Sequence, residues 1–340
     1  MSRSLSYEFS GFSCTVVPAH RDALAATDRS ERFVIADTNT VEIIGGRADH
    51  VLPSGEPSKS WDELKSILDR LLEVDLSRDG VVIGVGGGVV TDIAAFAASV
   101  YMRGVRLVLV PTTFLAMVDA AFGGKTGVNL GGYKNIVGTF YPAGELRICI
   151  DVLSSLSERE YLSGLAEAFK TGMLGDARVF DAIESERDRV LARDPELLED
   201  IVWRCIQVKG SIVENDLRES GIRAYLNLGH TFAHALEACQ GLGEWSHGEA
   251  VAWGLIRAME LGETLGITDA GYAARVAGVV QAYGYRTDPI PGSADRLVDA
   301  MRKDKKRMSE ALRFVVQKNL GETSVIEVEP ERVTALLAGK

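Results

Sequence analysis

A run of β-branched residues, Val81–Val85, passes directly into Gly86-Gly87-Gly88 and then into a helical stretch from Thr91 to Met102. A strand that feeds a helix through a glycine turn sets its successor beside it in the same direction, because the helix carries the chain back across the sheet. The neighbouring segments follow the same rhythm. Arg32–Ala36 reads as a strand and leads into Asp37-Thr38-Asn39. From Ser60 to Val74, Trp61, Leu64, Ile67, Leu68, Leu71 and Leu72 fall on one helical face. Val105–Val110 is a further strand, ended by Pro111. This alternation predicts an α/β domain, a parallel sheet covered by helices in the Rossmann-like, nucleotide-binding manner.

Past about residue 155 the pattern becomes helical. Glu158–Leu174, Pro195–Val213, Thr231–Cys239, Glu249–Leu265 and Ala273–Tyr283 read as helices, and Leu312–Val316 and Thr323–Val328 as strands. The boundary is expected near Leu156, giving an α/β domain over residues 1–156 and a mostly α-helical domain over 157–340. The net charge of −11 argues against a nucleic-acid partner, which calls for a basic face. An anionic substrate would need local Lys and Arg against that background. Met1–Phe9 lacks the basic segment and apolar run of a signal peptide, and no apolar stretch reaches the roughly 20 residues of a membrane span. The cysteines, Cys14, Cys149, Cys205 and Cys239, are scattered and form no CxxC pair, which fits reduced thiols in a cytoplasmic protein.

Two glycine segments invite a phosphate. In Gly86-Gly87-Gly88-Val89-Val90-Thr91-Asp92 the backbone is free to approach a pyrophosphate at a helix N-terminus, but the GxGxxG fingerprint is absent. A tight turn with Thr91 or Asp92 as helix cap is the competing reading. Asp37, at the end of an earlier strand, suits a ribose hydroxyl or a plain turn equally well. The second segment, Gly123-Gly124-Lys125-Thr126, ends like a P-loop, but Asp119 stands where a Walker A motif needs glycine. That excludes the ATPase reading and leaves Lys125 as a cation on a glycine turn, facing a ligand anion.

Three of the five histidines lie between residues 230 and 247. His230 and His234 are four apart on one helical face, His247 opens the next helix, and Glu167 places a carboxylate on an otherwise apolar helix. Such a set suits Zn²⁺ with open positions for substrate; hydrogen-bonded core histidines are the alternative. HExxH is absent, which disfavours a zincin protease.

At this point the chain resembles the 3-dehydroquinate synthases, within the wider sugar-phosphate cyclase group. The likeness runs from about Asp37 to Leu320. It is carried by GEPSK (Gly55–Lys59), GGGVVTD (Gly86–Asp92), YMRG (Tyr101–Gly104), PTTFLAMVDAAFGGKTGVN (Pro111–Asn129) and Lys134-Asn135. It continues through GLAEAFK (Gly164–Lys170), LRESGIRAYLNLGHTFAHALE (Leu217–Glu237), HGEA (His247–Ala250) and DKK (Asp304–Lys306). The resemblance implies a dehydroquinate synthase-like fold, a bound NAD, a divalent metal (Zn²⁺ or Co²⁺) and a homodimer. By position, Glu167, His230 and His247 would hold the metal. Asp37, Asn39, Glu56, Lys59, Gly87, Gly88, Val89, Asp92, Thr112, Thr113, Lys134 and Ser155 would hold NAD. Arg103, Asp119, Lys125, Asn135, Lys170, Lys209, Arg223, Asn227 and Lys305 or Lys306 would line the substrate, with Arg103 reaching across a dimer interface. Glu219, His234 and Lys125 match the catalytic positions.

The implied activity is that of a carbon–oxygen lyase in the shikimate pathway of aromatic amino acid biosynthesis. A seven-carbon keto-acid phosphate, 3-deoxy-D-arabino-heptulosonate 7-phosphate, is oxidised at a secondary alcohol and loses phosphate by β-elimination. It is then reduced again and closes by an intramolecular aldol step to 3-dehydroquinate, with no net use of NAD. Two rivals stand beside this reading: a sister cyclase of secondary metabolism, of the amino-dehydroquinate type, and an NAD- and metal-dependent alcohol dehydrogenase of the glycerol dehydrogenase type. Thr91, Leu130-Gly131, Thr171, Leu217 and Ser309 depart from the commoner family pattern, and none of them is an expected ligand.

Overall fold

The computed structural model describes residues 4–9, 11–26, 31–240, 244–290, 293–304 and 311–339. Two compact units emerge, Met1–Ser157 with Leu198–Arg218, and Glu158–Leu197 with Glu219–Lys340. Residues 198–218, which lie past Leu156, therefore group with the first unit. Lys305, Lys306 and Ser309 lie outside the described residues. No helix among the described residues is long and apolar enough to cross a membrane, and all four cysteines are unbridged.

The first unit is built on strands β1 (Leu5–Phe9), β2 (Phe12–Pro18), β3 (Arg32–Asp37), β4 (His50–Leu52), β5 (Val81–Gly86), β6 (Arg106–Pro111), the short pair β7 (Val128–Leu130) and β8 (Tyr133–Val137), and β9 (Glu145–Ile148). Seven of them form one sheet in the order β1-β2-β9-β6-β5-β3-β4. All its pairings are parallel except β1 with β2, so the α/β expectation holds. Every residue of β5 is buried, as a parallel strand covered on both faces must be. Helices α1 (Trp61–Glu73) and α2 (Gly88–Val100) follow β4 and β5.

The glycines at the end of β5 are there for packing. A Cβ on Gly84 would lie 2.7 Å from that of Ala94, and one on Gly86 would lie 2.4 Å from Val90 Cγ2. α2 thus sits directly on its own strand. It begins at Gly88, earlier than the periodicity of Thr91–Met102 suggests, with Gly87 as its extended N-cap. Neither Thr91 nor Asp92 is the cap: Thr91 is buried and its hydroxyl donates to the Gly88 carbonyl at 3.1 Å. The helix stops at Val100, because Met102 and Arg103 take left-handed backbone angles, φ 47° and 64°. β1, β2, β4, β7, β8 and β9 have no counterpart in the sequence reading. They are short or edge strands whose pairing comes from long-range contacts.

The second unit is mostly helical. It holds α3 (Glu158–Gly175), α4 (Ala177–Ser185), α5 (Arg187–Leu191) and the start of α6 (Pro195–Asn215), which runs on into the first unit. It continues with α7 (His230–Gln240), α8 (His247–Thr264), α9 (Ala270–Ala282), α10 (Ala294–Asp304), the antiparallel hairpin β10 (Leu312–Gln317) and β11 (Thr323–Val328), and α11 (Pro330–Leu337). Glycines let three helices meet at backbone distance. A Cβ on Gly248 of α8 would lie 2.2 Å from the Ser163 carbonyl oxygen of α3, and one on Gly254 would lie 2.2 Å from the Gly229 carbonyl just before α7.

The contact between α3 and α8 generates a test. Gly248→Ala forces backbone against backbone, and overpacking of this kind costs about 1–3 kcal/mol. The thermal unfolding midpoint falls by several degrees, read by calorimetry. An unchanged midpoint shows that the helices are free to part there.

Candidate active site

Three side chains from three helices converge in the second unit. Glu167 lies in the middle of α3 and is wholly buried, while His230 and His247 are the first residues of α7 and α8. Local sequence fixes both starts. Gly229 takes φ 78° and turns the chain into α7. Ser246 caps α8 in a full capping box with Glu249, and the Gly248 amide donates to Ser163 Oγ at 3.0 Å. His230 Nε2 then stands 3.4 Å, and His247 Nε2 3.2 Å, from the same oxygen, Glu167 Oε1.

Those separations match a shared cation. Two ligands at Zn²⁺ bond lengths on a tetrahedron lie about 3.4 Å apart. One atom from each of Glu167, His230 and His247 falls within 4.8 Å of the others. The two carboxylate oxygens differ. Glu167 Oε2 is buried without a hydrogen-bond donor, and Lys170 Nζ lies 2.5 Å away without hydrogen-bond geometry. The Lys170 ammonium already neutralises Oε2, so it is Oε1, facing both imidazoles, that is placed to meet a further cation. Each ring's other nitrogen is held from behind. His230 Nδ1 faces the Leu228 carbonyl at 3.2 Å and His247 Nδ1 faces Glu237 Oε1 at 3.5 Å, as metal-ligating histidines require.

The electrostatics are uneven. Burial pushes the Glu167 carboxyl upward, but Lys170, His230 and His247 together hold it well below the ordinary carboxylate range. Burial and then the Lys170 ammonium lower His230 to about 3, overcoming Glu167. Burial opposes the charge on His247 as well, yet its bonds to Glu167 and Glu237 raise it to about 10. One imidazole of the cluster is therefore neutral and the other protonated near pH 7. His234, four residues along α7, stays exposed, its ring 5.4 Å from that of His230.

In the first unit, several residues assigned to a dinucleotide and to substrate form one hydrogen-bonded chain. The Lys59 ammonium, almost fully buried, donates to Asp92 and to Asn135 Oδ1. Asn129 Nδ2 donates to Glu56 Oε1 at 2.7 Å, and the Asn135 amide donates to Asn129 Oδ1 at 2.9 Å. Burial lifts the Asp92 carboxyl above its ordinary value despite Lys59 beside it. Gly87 stands against Thr113, whose Cγ2 would be 3.0 Å from a Cβ there, and the buried Thr112 donates its amide to the Gly86 carbonyl at 3.0 Å. Val89 lies in the first turn of α2.

Other expected residues are drawn into local turns. Asp37 Oδ1 accepts from the Asn39 amide, the Thr40 amide and the Thr40 hydroxyl, each at 2.9 Å, so this oxygen serves the turn. Thr113 Oγ1 accepts from the Ala116 amide at 3.1 Å, and the exposed Ser155 donates to the Val152 carbonyl at 2.7 Å. Lys125, Lys134 and Arg103 are exposed. Asp119 sits in a π-helical turn, Ala116–Ala120, and its carbonyl and Oδ1 both receive the buried Lys209 ammonium at 2.5 Å. In the second unit Asn227 Nδ2 donates to Glu219 Oε1 at 2.5 Å, and Arg223 is buried on the turn between them. Glu219 takes a left-handed φ of 58°.

Two contributors are missed by the sequence reading. Glu237 lies seven residues after His230 on α7, a spacing that returns to the same face and was available as a signal. Asn129 sits inside a resembling segment, but its role depends on an irregular strand pairing that no local pattern announces.

Known families and solved structures resemble the chain over most of its length. The family models for the 3-dehydroquinate synthase N-terminal and C-terminal domains match residues 49–163 and 164–307. Among solved structures, 2-deoxy-scyllo-inosose synthase complexed with carbaglucose-6-phosphate, NAD⁺ and Co²⁺ is 23% identical at TM-score 0.86, covering 99% of both chains. The 2-epi-5-epi-valiolone synthase of Streptomyces hygroscopicus subsp. jinggangensis, with NAD⁺ and Zn²⁺ bound, is 26% identical at TM-score 0.86, covering 98% of this chain and 96% of that one. A probable glycerol dehydrogenase from Sinorhizobium meliloti is more distant, 15% identical at TM-score 0.64 over 95% of each chain.

The cluster makes a quantitative prediction. His247 is protonated up to about pH 10 in the ion-free protein, so an entering cation must displace that proton. Calorimetric titration with Zn²⁺ near pH 7 in buffers of different ionisation enthalpy returns about one proton released per ion, and apparent affinity rises about tenfold per pH unit below pH 10. His247→Ala lowers that affinity by more than about 100-fold, whereas His234→Ala leaves it within a few-fold. Undiminished binding by His247→Ala removes it from the ligand set.

Proposed function

Because the chain belongs to the 3-dehydroquinate synthase-like family of sugar-phosphate cyclases, we propose that it is a 3-dehydroquinate synthase, closing the ring of 3-deoxy-D-arabino-heptulosonate 7-phosphate with loss of phosphate. NAD and a divalent cation, Zn²⁺ or Co²⁺, are its resident cofactors on this reading. Glu167, His230 and His247 hold the cation, and the Gly87-Gly88 turn with Glu56, Lys59, Asp92, Thr112, Thr113 and Lys134 holds the dinucleotide. When bound, the dinucleotide supplies a reversible hydride acceptor and the cation polarises the oxygen that changes between alcohol and ketone.

The observation that carries an acidic, phosphorylated substrate is an inversion of charge. Among the described residues the chain buries five cationic side chains, Lys59, Lys170, Lys209, Arg223 and Arg257, against two acidic ones, Glu167 and Asp216, although its net charge is −11. Lys59, Lys170, Lys209 and Arg257 each lie against an internal carboxylate, of Asp92, Glu167, Asp119 and Glu260, so what supports an anionic ligand is the concentration of buried positive charge in an acidic chain. Arg223 and Lys209 take the substrate carboxylate on this reading, and Lys125, Asn135 and Arg103 take the phosphate. His234 relays the alcohol proton through a ring nitrogen, being exposed beside the metal histidines. Glu219, bonded to Asn227, orients that relay. The substrate's own phosphate dianion can take the neighbouring C–H proton as the C–O bond breaks, the C–H electron pair becoming the double bond and hydrogen phosphate leaving, so this chain need only hold the phosphate in place.

A sister cyclase of secondary metabolism is the second reading, favoured by the full-length likeness to the inosose and valiolone synthases. One assay separates the three activities. The enzyme, loaded with NAD⁺ and Zn²⁺, is given the keto-acid phosphate, sedoheptulose 7-phosphate or glucose 6-phosphate, and phosphate, NADH and product mass are followed. The expected result is phosphate release from the keto-acid phosphate with no net NADH. Turnover confined to a sugar phosphate that lacks a carboxylate assigns the sister activity, and stoichiometric NADH without phosphate assigns a dehydrogenase.

Arg223→Ala separates the ends of the substrate. Losing a charge-assisted bond to a carboxylate costs about 2–3 kcal/mol, so KM for the keto-acid phosphate rises about 30-fold or more while NAD affinity stays within a few-fold. Equal losses in both remove Arg223 from the carboxylate site.

A further inference from the structure

The β7–β8 pair contains an irregularity that falls on the two residues expected to face anions. Val128 pairs with Val137 and Leu130 with Tyr133, so Asn129 alone stands opposite Lys134, Asn135 and Ile136. A regular antiparallel pair would put one residue there. The two extra residues lift the chain out of the ladder, and Asn135 adopts a left-handed φ of 53°. A bulge of this kind re-aims side chains, but it also leaves backbone groups without ladder partners.

Asn129 repairs that loss. Its Oδ1 accepts from the displaced Asn135 amide at 2.9 Å, its Nδ2 donates to Glu56 Oε1 at 2.7 Å, and its own amide donates to the Lys59 carbonyl at 2.8 Å. The orientation of the amide is dictated by its partners. A backbone N–H can only donate and a carboxylate can only accept, so the reverse orientation would lose both bonds. The same logic orients Asn135: the Lys59 ammonium is a donor, so it takes Oδ1, and Nδ2 is turned outward from an exposed residue as a donor for an anion.

We infer that Asn129 is the positioning residue of the anion-binding bulge, fixing Asn135 toward the substrate phosphate and Lys134 toward the dinucleotide, and tying that bulge to the dinucleotide residues Glu56 and Lys59. This rests on the functional reading above only for the identity of the two ligands. The clamp itself is a matter of hydrogen bonds. Two substitutions divide its halves. Asn129→Ala removes both bonds. Asn129→Asp keeps an acceptor for the Asn135 amide but sets a second carboxylate against Glu56.

The test uses the full chain loaded with NAD⁺ and Zn²⁺ for kinetics, and the same chain without substrate for hydrogen–deuterium exchange over residues 130–138. In Asn129→Ala the exchange of that segment accelerates, KM for the phosphorylated substrate rises about 10- to 100-fold, and the NAD Kd weakens several-fold. In Asn129→Asp the exchange and KM stay within about threefold of wild type, while the NAD Kd weakens at least as much as in Asn129→Ala. Unchanged exchange in Asn129→Ala overturns the clamp. Accelerated exchange with wild-type KM and NAD Kd overturns the positioning role. If Asn129→Ala does not fold, Asn129→Asp decides alone, and wild-type NAD affinity in it counts against the link to Glu56. Should the wild-type enzyme release phosphate from no sugar phosphate, the functional reading fails by itself, and exchange with NAD titration still judge the clamp.

Discussion

The second unit is organised around one buried carboxylate. Glu167 is inaccessible to water on α3, and an isolated ion in such a place would be prohibitive. Two charged groups offset that cost, Lys170 one turn along the same helix and the protonated imidazole of His247 that opens α8, while the neutral His230 that opens α7 stands beside them. Those contacts require the two helix starts to arrive side by side at the middle of α3. That in turn requires the backbone approaches at Gly229, Gly248 and Gly254. The packing of this unit and the geometry of its candidate metal site are therefore a single constraint. A side chain at Gly248 disturbs both.

Much of this was legible because it depends on local pattern. The strand Val81–Val85, the glycine turn and the helices around Glu167, His230 and His247 each carry a period or a punctuating residue. The histidine spacing and the lone Glu on an apolar helix pointed to a metal site with His234 also a candidate; the resemblance implied Glu167, His230 and His247, and the structure brings those atoms together. Less legible was what long-range pairing decides. The edge hairpin Leu5–Pro18 and the short strands β7 to β9 are too brief to show a period. The start of α2 moved from Thr91 to Gly88, since glycines that read as a loop were required by the contact of helix on strand. Asp37 shows the limit in the other direction. Its role was open between ribose and turn, and Oδ1 is fully engaged by the turn, with three bonds from Asn39 and Thr40.

The fold alone does not choose the reaction. The same two-unit plan, at lower similarity, appears in a probable glycerol dehydrogenase. Discrimination must come from groups that a dehydrogenase has no use for. In the proposed reading those are the cations and amides of Lys125, Lys134-Asn135 and Arg223, assigned to anionic ligands.

How buried cations persist before any substrate arrives follows from their partners. Lys59 is bonded to Asp92 and Asn135, Lys209 to Asp119, and Lys170 lies against Glu167. Each ammonium has an internal carboxylate beside it, so none is stranded, and an ammonium carries three donors, more than one carboxylate oxygen uses. An entering anion then adds to a charge already desolvated and held in place. The desolvation and the ordering of the side chain are incurred during folding, not during binding, which is the physical content of preorganisation. An acidic protein can in this way hold an acidic ligand. The excess negative charge is dispersed over the surface, where water screens it, and the cations are kept where screening is weak.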